Sequence, residues 1–289
     1  MVSIIVGLGL LGSAVARRFE RCVPCSAAPP ELLQIDWNCA ETVKNQLLQV
    51  ARDRGAQRLE LTWSAGRAGF LSGDEELRAE YNVFECAVSS LYEQYGDQLT
   101  VNLLSSAGGV HEGSGTVSAI EQVAARRPYG AWKLKQEQLL ADIACPARIF
   151  RLSSVYGALR PRQRSGMLNV LLERALDGGL ADVYASPSTL RDYVFVDDVA
   201  RYVVDSVMAQ RQPGIQILAS GRPTSVDSLG KMILAATGKH VRIQYGSERK
   251  NTADIVFSRS LIPTDFRVSS MEETVRLLAA RKRGGIELR

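Results

Sequence analysis

The sequence has few of the residues that metal sites and disulfide frameworks require, with two histidines and five cysteines among 289 residues. An odd cysteine count in a chain of this length predicts reduced thiols. Cys22 and Cys25 have the spacing of a zinc or redox pair, but no second pair accompanies them, and His111 and His240 are distant in sequence. We therefore expect buried strand cysteines and no metal site.

The chain also lacks a strong excess of either charge, because 35 Lys and Arg against 31 Asp and Glu give a net charge of +4. The basic residues are scattered, which argues against a nucleic-acid or anionic-lipid partner. No apolar run approaches the roughly 18 residues of a membrane span, and residues 1–4 lack the basic region of a signal peptide. These absences favour a cytoplasmic protein that acts on a small molecule.

Short apolar runs alternate with helical patterns along the first half of the chain, which predicts an α/β fold with a doubly wound parallel sheet. Strands are predicted at 2–6, 22–25, 32–36, 58–62, 100–104 and 147–152, and helices at 10–20, 40–54, 75–95 and 129–143. Beyond residue 153 the pattern loosens, with helices predicted at 166–176, 226–237 and 270–280, and with returns to the sheet near 193–197 and 214–218.

A glycine-rich turn joins the first predicted strand to the first helix. Gly7 permits a tight turn, Gly9 lets the backbone approach a pyrophosphate, and Gly12 allows close packing of helix on strand. The helix N-terminus at Leu10 and Leu11 offers N–H groups to phosphate. A tight strand–helix turn without a ligand is the alternative.

This turn predicts a Rossmann-type dinucleotide-binding domain over residues 1–155, with a smaller, interleaved substrate-binding lobe over 156–289. The choice between NAD and NADP stays open. No acidic residue ends the second predicted strand, which stops near Ser26, and a ribose-binding acid there would favour NAD. Asp36 ends the third predicted strand, which places it nearer the adenine, while Ser26 with Arg17 and Arg18 would tolerate a 2′-phosphate.

Tyr129 and Lys133 stand at positions i and i+4 of a predicted helix and so share one face. A positive charge beside a phenol favours the phenolate. Such a tyrosine can exchange a proton with a substrate hydroxyl while a nicotinamide carries the hydride. The preceding strand ends at Ser105 and Ser106, where a hydroxyl could orient the substrate oxygen.

Taken together, these motifs resemble the extended short-chain dehydrogenase/reductase family, which contains nucleotide-sugar epimerases and dehydratases. The resemblance covers most of the chain, and its most specific part is Arg191-Asp192-Tyr193-Val194-Phe195-Val196-Asp197-Asp198-Val199-Ala200. The other matching segments are Gly7-x-Gly9-x-x-Gly12, Tyr81-Asn82-Val83, Ser105-Ser106-Ala107-Gly108-Gly109, Pro128-Tyr129-Gly130-Ala131-Trp132-Lys133 and Arg151-Leu152-Ser153-Ser154-Val155-Tyr156-Gly157.

The resemblance implies that Tyr129 is the acid/base, that Lys133 holds the nicotinamide ribose, and that Ser106 binds the reacting oxygen. Arg191 would clamp a substrate diphosphate, unless it pairs with Asp192 or Asp198. Further expected cofactor contacts are Trp63, Ser64, Asn82 and Ser105, and further expected substrate contacts are His111 and Tyr156. Asn82 could instead only join its helix to the sheet. A homodimer through the helices at 75–95 and 129–143 is also implied.

The sequence departs from the family pattern at several positions. Its glycine turn is one residue shorter than usual, and the usual Ser/Thr position falls on Ala107, so that Ser106 serves only if the loop shifts by one residue. Gly108 and Gly109 replace the Asp-Glu pair of the dehydratases, and His111 replaces a tyrosine. Dehydration therefore lacks its acid and base.

These features favour an NAD(P)-dependent oxidoreductase or epimerase that acts on a sugar carbon of a nucleotide-activated sugar. One alternative is an NADPH-dependent reductase of a carbonyl substrate that carries no nucleotide. The other is a non-catalytic dinucleotide-binding regulator on the same fold, since fold does not fix function.

Overall fold

The computed structural model describes residues 1–22, 29–34, 39–157, 166–246 and 253–284. Its α-helices are α1 Leu10–Cys22, α2 Ala40–Asp53, α3 Asp74–Tyr95, α4 Ala107–Val110, α5 Pro128–Asp142, α6 Met167–Asp177, α7 Val196–Met208, α8 Val226–Thr237 and α9 Met271–Arg283. Its strands are β1 Val2–Val6, β2 Glu31–Leu33, β3 Leu59–Trp63, β4 Leu99–Ser106, β5 Gly115–Val117, β6 Ala147–Leu152, β7 Ser154–Tyr156, β8 Leu180–Val183, β9 Leu190–Arg191, β10 Tyr193–Phe195, β11 Gly214–Leu218, β12 Thr224–Ser225, β13 Arg242–Tyr245 and β14 Ile255–Phe257.

Six strands form the main sheet in the order β11-β6-β4-β3-β1-β2, and every neighbouring pair is parallel. One face packs against α1 and α7, and the other packs against α2, α3 and α5. Strands covered on both faces are mostly apolar, which explains the hydrophobic runs in the sequence, and the buried polar side chains of β3, β4 and β6 are exceptions. The predicted α/β fold with a Rossmann-type parallel sheet is confirmed.

The strand beside β1 differs from the predicted one. β2 takes that place, with Ile4 opposite Glu31 and Val6 opposite Leu33, whereas the sequence predicted a strand at 22–25. Cys22 is instead the last residue of α1, and its side chain packs against the hydrophobic core. The rest of the predicted strand, Ser26 included, lies outside the described residues, as does Asp36.

The two predicted returns to the sheet have different outcomes. Gly214–Leu218 joins the main sheet beside β6 as its sixth strand, as predicted. Tyr193–Phe195 does not join it, because β10 pairs with β7 in a separate two-stranded sheet. The remaining strands form a four-stranded sheet of β12, β9, β14 and β5 and a two-stranded sheet of β13 and β8.

The helix α3, one of the two expected to form a dimer contact, buries apolar side chains in the protein's own core. Val83 and Ala87 are buried in the cluster that lies between α3 and the sheet. The homodimer therefore stays a prediction from resemblance. Among the described residues, no helix has the length and apolar character needed to cross a membrane.

Candidate functional site

The glycine turn lies at the carboxyl end of β1 and is held closed by β3. Gly7 has a positive φ of 87°, and a Cβ at that position would collide with Ala65. A Cβ on Gly12 would collide with the carbonyl of Gly7 and the hydroxyl of Ser64. A larger residue at either position would therefore have to displace the turn.

Gly9 differs from the other two glycines because it is exposed and a Cβ there would meet nothing within 4 Å. Open space beside a backbone that precedes a helix is the arrangement that receives a pyrophosphate. Leu10 and Leu11 open α1 and supply its first N–H groups. The turn therefore fits a dinucleotide.

Ser64 and Trp63 lie at the end of β3 and have different surroundings. Ser64 donates from Oγ to the carbonyls of Val6 and Gly7, at 2.9 and 2.5 Å, and so fixes the glycine turn. The Trp63 side chain is 1% exposed and packs edge-on against Phe84, with 5.1 Å between ring centroids. The Trp63 side chain is therefore not accessible to a cofactor.

Tyr129 is the second residue of α5 and touches α4. A Cβ on Gly109 would lie 2.9 Å from Cδ1 of the Tyr129 ring, and one on Gly130 would collide with the Gly109 carbonyl. Ser106 accepts a hydrogen bond from the Gly109 backbone N–H at 3.1 Å and caps α4. Ser106 and Tyr129 therefore lie on either side of one glycine, and the hydroxyl proton of Ser106 is left to donate.

Lys133 lies one helical turn after Tyr129, and its Nζ donates to Oε1 of Gln136 at 3.0 Å. An ammonium carries three N–H donors, so this bond leaves capacity for a ribose hydroxyl. Asn82 is exposed and lies in the first half of α3, the helix that packs on α5.

Ser105 is turned away from Ser106, as expected for adjacent residues of one strand. Its Oγ donates to Oε1 of Glu137 at 2.5 Å, and its side chain is 3% exposed. Of the two serines, Ser106 is the one that binds Gly109, which in turn lies against Tyr129, and Ser105 takes part in a buried polar network.

Two residues expected to contact substrate are buried instead. His111 is 0% exposed; Nδ1 donates to the Gln122 carbonyl at 2.7 Å and Nε2 lies 3.3 Å from Nη1 of Arg151. Tyr156 is 1% exposed, its hydroxyl is 2.6 Å from that of Thr274, and burial raises its pKa to about 12. Neither side chain has surface accessible to a ligand, and both form hydrogen bonds within the protein.

Arg191 is also largely buried, at 6% exposure, and burial lowers its pKa. Its Nη1 donates to the Leu190 carbonyl at 2.8 Å and to the carbonyl of Ala253. Asp192 accepts from the backbone N–H groups of Ser220, Gly221 and Arg222. The assignment of Arg191 to a substrate diphosphate stays a proposal.

A cavity of about 290 Å³ is lined by Phe70 and Arg127, two neighbours of Tyr129. Its walls come from the β3–α3 loop, the start of α5, α6 and the end of β8, and include Phe70, Leu71, Arg127, Met167, Asp182 and Tyr184. The Phe70 ring lies 6.0 Å from the Tyr129 ring, which joins the cavity to the tyrosine.

Arg127 is the cationic residue of this cavity wall that sequence reasoning missed. Its guanidinium lies 4.6 Å over the Phe70 ring, and its Nε is 3.0 Å from Oε1 of Glu112. Burial raises the pKa of Glu112. Its position next to Pro128 and Tyr129 could have identified Arg127 as a site residue from the sequence. Phe70 lies in an irregular loop without a sequence pattern and could not have been identified in this way.

Comparisons with known proteins identify a family and a fold. Residues 74–216 match the model of the NAD dependent epimerase/dehydratase family. The matched segment includes α3, the strand that ends at Ser106, and the helix that carries Tyr129 and Lys133. No curated protein is similar enough in sequence to count as a relative.

Solved structures with the same fold match nearly the whole chain. MoeE5 in complex with UDP-glucose and NAD is 18% identical with a TM-score of 0.81, over 99% of this chain and 100% of that one. The UDP-glucose 4-epimerase of Thermus thermophilus in complex with NAD is 21% identical with a TM-score of 0.79, over 99% and 100%. The UDP-glucuronic acid 4-epimerase of Bacillus cereus is 16% identical with a TM-score of 0.79, over 98% and 99%. At these identities the likeness shows the fold.

Proposed function

Through residues 74–216 the chain belongs to the NAD dependent epimerase/dehydratase family, and on that premise we propose that it is an NAD(P)-dependent epimerase. Its substrate is a nucleotide-activated sugar, and the reaction inverts one sugar carbon through oxidation and reduction. UDP-sugars are the first substrates to test, because several solved structures of this fold hold UDP-glucose or UDP-glucuronic acid together with NAD.

One observation carries the proposal: Ser106 and Tyr129 flank Gly109 at the carboxyl edge of the sheet that also carries the glycine turn. The turn follows β1 and the serine ends β4, and only β3 separates these parallel strands. Ligands of open parallel sheets bind at this edge. A dinucleotide on the turn and a sugar beside Tyr129 would therefore meet.

The bound nicotinamide supplies reversible hydride transfer at the sugar carbon. Tyr129 takes the proton of the sugar hydroxyl as oxidation proceeds and returns it on reduction. Lys133, on the same helix face, offers N–H donors to the ribose. Ser106 donates to the reacting oxygen and holds it within reach of Tyr129.

Water elimination is not supported by this site. Dehydratases of the resembled family need an acidic pair at the positions of Gly108 and Gly109. A side chain at 109 would meet the Tyr129 ring and Gly130, so that no acid fits there without displacing the proposed acid/base.

The first test replaces Tyr129 by Phe and measures turnover of UDP-glucose and UDP-glucuronic acid. We expect turnover to fall by about 10²–10⁴, the usual contribution of general acid–base catalysis, with NADH affinity and melting temperature retained. Tyr245→Phe, an exposed tyrosine of β13, is the matched control and should keep full activity. Wild-type turnover in Tyr129→Phe would exclude the mechanism.

The second test separates the epimerase from a reductase through the cofactor. Acid release followed by mass spectrometry should find NAD that copurifies, because an epimerase regenerates its own cofactor in each cycle. An empty protein that prefers NADPH and reduces a carbonyl compound would support the reductase instead. A protein that binds neither dinucleotide would contradict both.

A further inference from the structure

A third residue lies in line with the proposed acid/base and its lysine. Tyr129, Lys133 and Glu137 stand at i, i+4 and i+8 of α5, so they follow one face of the helix. Glu137 is 6% exposed. A carboxylate this deeply buried needs charged or hydrogen-bonding partners, and those partners come from the sheet.

Two strands supply the partners of Glu137. Ser105 of β4 donates to Oε1 at 2.5 Å. Arg151 of β6 binds the same carboxylate through Nη2 to Oε2 at 2.7 Å and through Nε to Oε2 and Oε1 at 3.1 and 3.2 Å. Ser105 and Arg151 are paired in the parallel register of β4 and β6. One carboxylate thus ties α5 to the carboxyl ends of two neighbouring strands.

The same guanidinium also holds the loop that leads into α5. Nη1 of Arg151 donates to the Ile120 carbonyl at 2.7 Å and lies 3.3 Å from Nε2 of His111. His111 in turn donates to the Gln122 carbonyl at 2.7 Å. The loop before α5 and the helix itself, at Glu137, are therefore both fixed to Arg151, which is 4% exposed.

We propose that Glu137 and Arg151 are positioning residues, which set the rotation of α5 and thereby place Tyr129 and Lys133 beside Ser106. This inference rests on the proposed function of Tyr129. The geometry supports it because a bidentate pair between a planar guanidinium and a carboxylate allows one relative orientation. An apolar contact between helix and sheet would allow the helix to turn or slide.

Stability alone does not account for this pair. A buried ion pair adds little over well-packed apolar side chains of similar volume, because desolvation offsets the attraction. A second buried ion pair in the described part of the chain serves as a comparison. It joins Arg148 to Glu60 at 2.9 Å, and both side chains also contact Asn102. That pair lies near the amino ends of β3 and β6, at the opposite edge of the sheet from Ser106.

The test replaces each pair by apolar residues: Glu137→Leu with Arg151→Met, and, as the matched control, Glu60→Leu with Arg148→Met. We expect both double variants to fold, with similar changes in melting temperature. The Glu137/Arg151 variant should lose about 10² in kcat, the effect of a small misplacement of a catalytic group, and its pH–rate profile should shift. The KM of the UDP-sugar and the kcat of the control should change little. Glu137→Gln, which keeps hydrogen-bonding capacity, should recover part of the kcat.

A readout that does not need turnover uses fluorotyrosine in the wild type, in both double variants and, for assignment, in Tyr129→Phe. The ¹⁹F resonance of Tyr129 should shift in the Glu137/Arg151 variant and stay in place in the control. An unchanged resonance and kcat in that variant, or equal changes in the control, would overturn the proposal. If the wild type turns over no sugar but the resonance shifts as expected, the positioning holds and the proposed function fails.

Discussion

Gly109 lies against the ring of Tyr129 so closely that a Cβ at 109 would be 2.9 Å from Cδ1 and 3.1 Å from Cε1. Gly130, the residue after Tyr129 in α5, approaches the Gly109 backbone in the same way. The crossing of α4 over α5 therefore depends on two glycines, and the tyrosine is held where they meet. Neighbouring Gly108 has open space beside it.

Gly109→Ala should lower kcat by up to about 10²-fold, because the added methyl group must push the Tyr129 ring away from Ser106. Gly108→Ala adds the same methyl group where a Cβ meets nothing within 4 Å, so it should keep its activity. Steady-state kinetics of both variants, with melting temperatures as a folding control, check this. Equal activities of the two variants would show that the contact does not place the tyrosine.

The sequence shows glycines at 108 and 109 where the dehydratases have acids, but it does not show that a side chain at 109 would collide with the Tyr129 ring.

The sequence predicted most elements of the main sheet because apolar runs and helical periodicity are local signals. It placed a strand at 22–25, where α1 continues to Cys22. A short apolar run after a helix is compatible with either a separate strand or a continuation of the helix.

The polar network of the site could not be predicted from one sequence. Ser105 and Glu137 are 32 positions apart, and Glu137 and Arg151 are 14 apart, so that only the packing of α5 on the sheet brings them together. The same holds for His111, which sequence position assigned to substrate and which the fold buries against Arg151. Motifs identify candidate functional residues in the sequence, whereas the fold determines which of their side chains remain accessible to a ligand.

Gly9 and Gly12 should respond differently to alanine because their surroundings differ. A Cβ at Gly9 meets nothing within 4 Å, so Gly9→Ala should fold normally and lose on the order of tenfold in NADH affinity, equivalent to about 1.4 kcal/mol, where the methyl group obstructs a phosphate. Gly12→Ala would place a methyl group against Gly7 and Ser64 and should destabilise the fold by about 1–3 kcal/mol. Fluorescence titration and urea unfolding separate the two effects. Unaltered NADH affinity in Gly9→Ala would remove the turn from the binding site.

Protonation of His111 should make stability depend on pH. Burial lowers the pKa of His111 and the charge of Arg151 adds to this, while the bond to Gln122 and the charge of Glu137 act in the opposite direction. The unfolded chain therefore takes up the proton first as the pH falls below about 6.5. Stability should be independent of this group above that pH and should decrease below it, by at most about 1.4 kcal/mol per pH unit.

Urea unfolding between pH 7.5 and 5.5 measures this decrease, and the two histidines of the chain provide the comparison. His111→Asn keeps an amide donor near the Gln122 carbonyl and cannot be protonated in this range, so its stability should vary less with pH than that of the wild type. His240 is exposed, so His240→Asn should retain the wild-type pH dependence. If His111→Asn kept the full decrease in stability at low pH while His240→Asn lost it, the buried network would not cause the pH dependence. A neutral His111 that accepts a hydrogen bond from Arg151 would then be excluded.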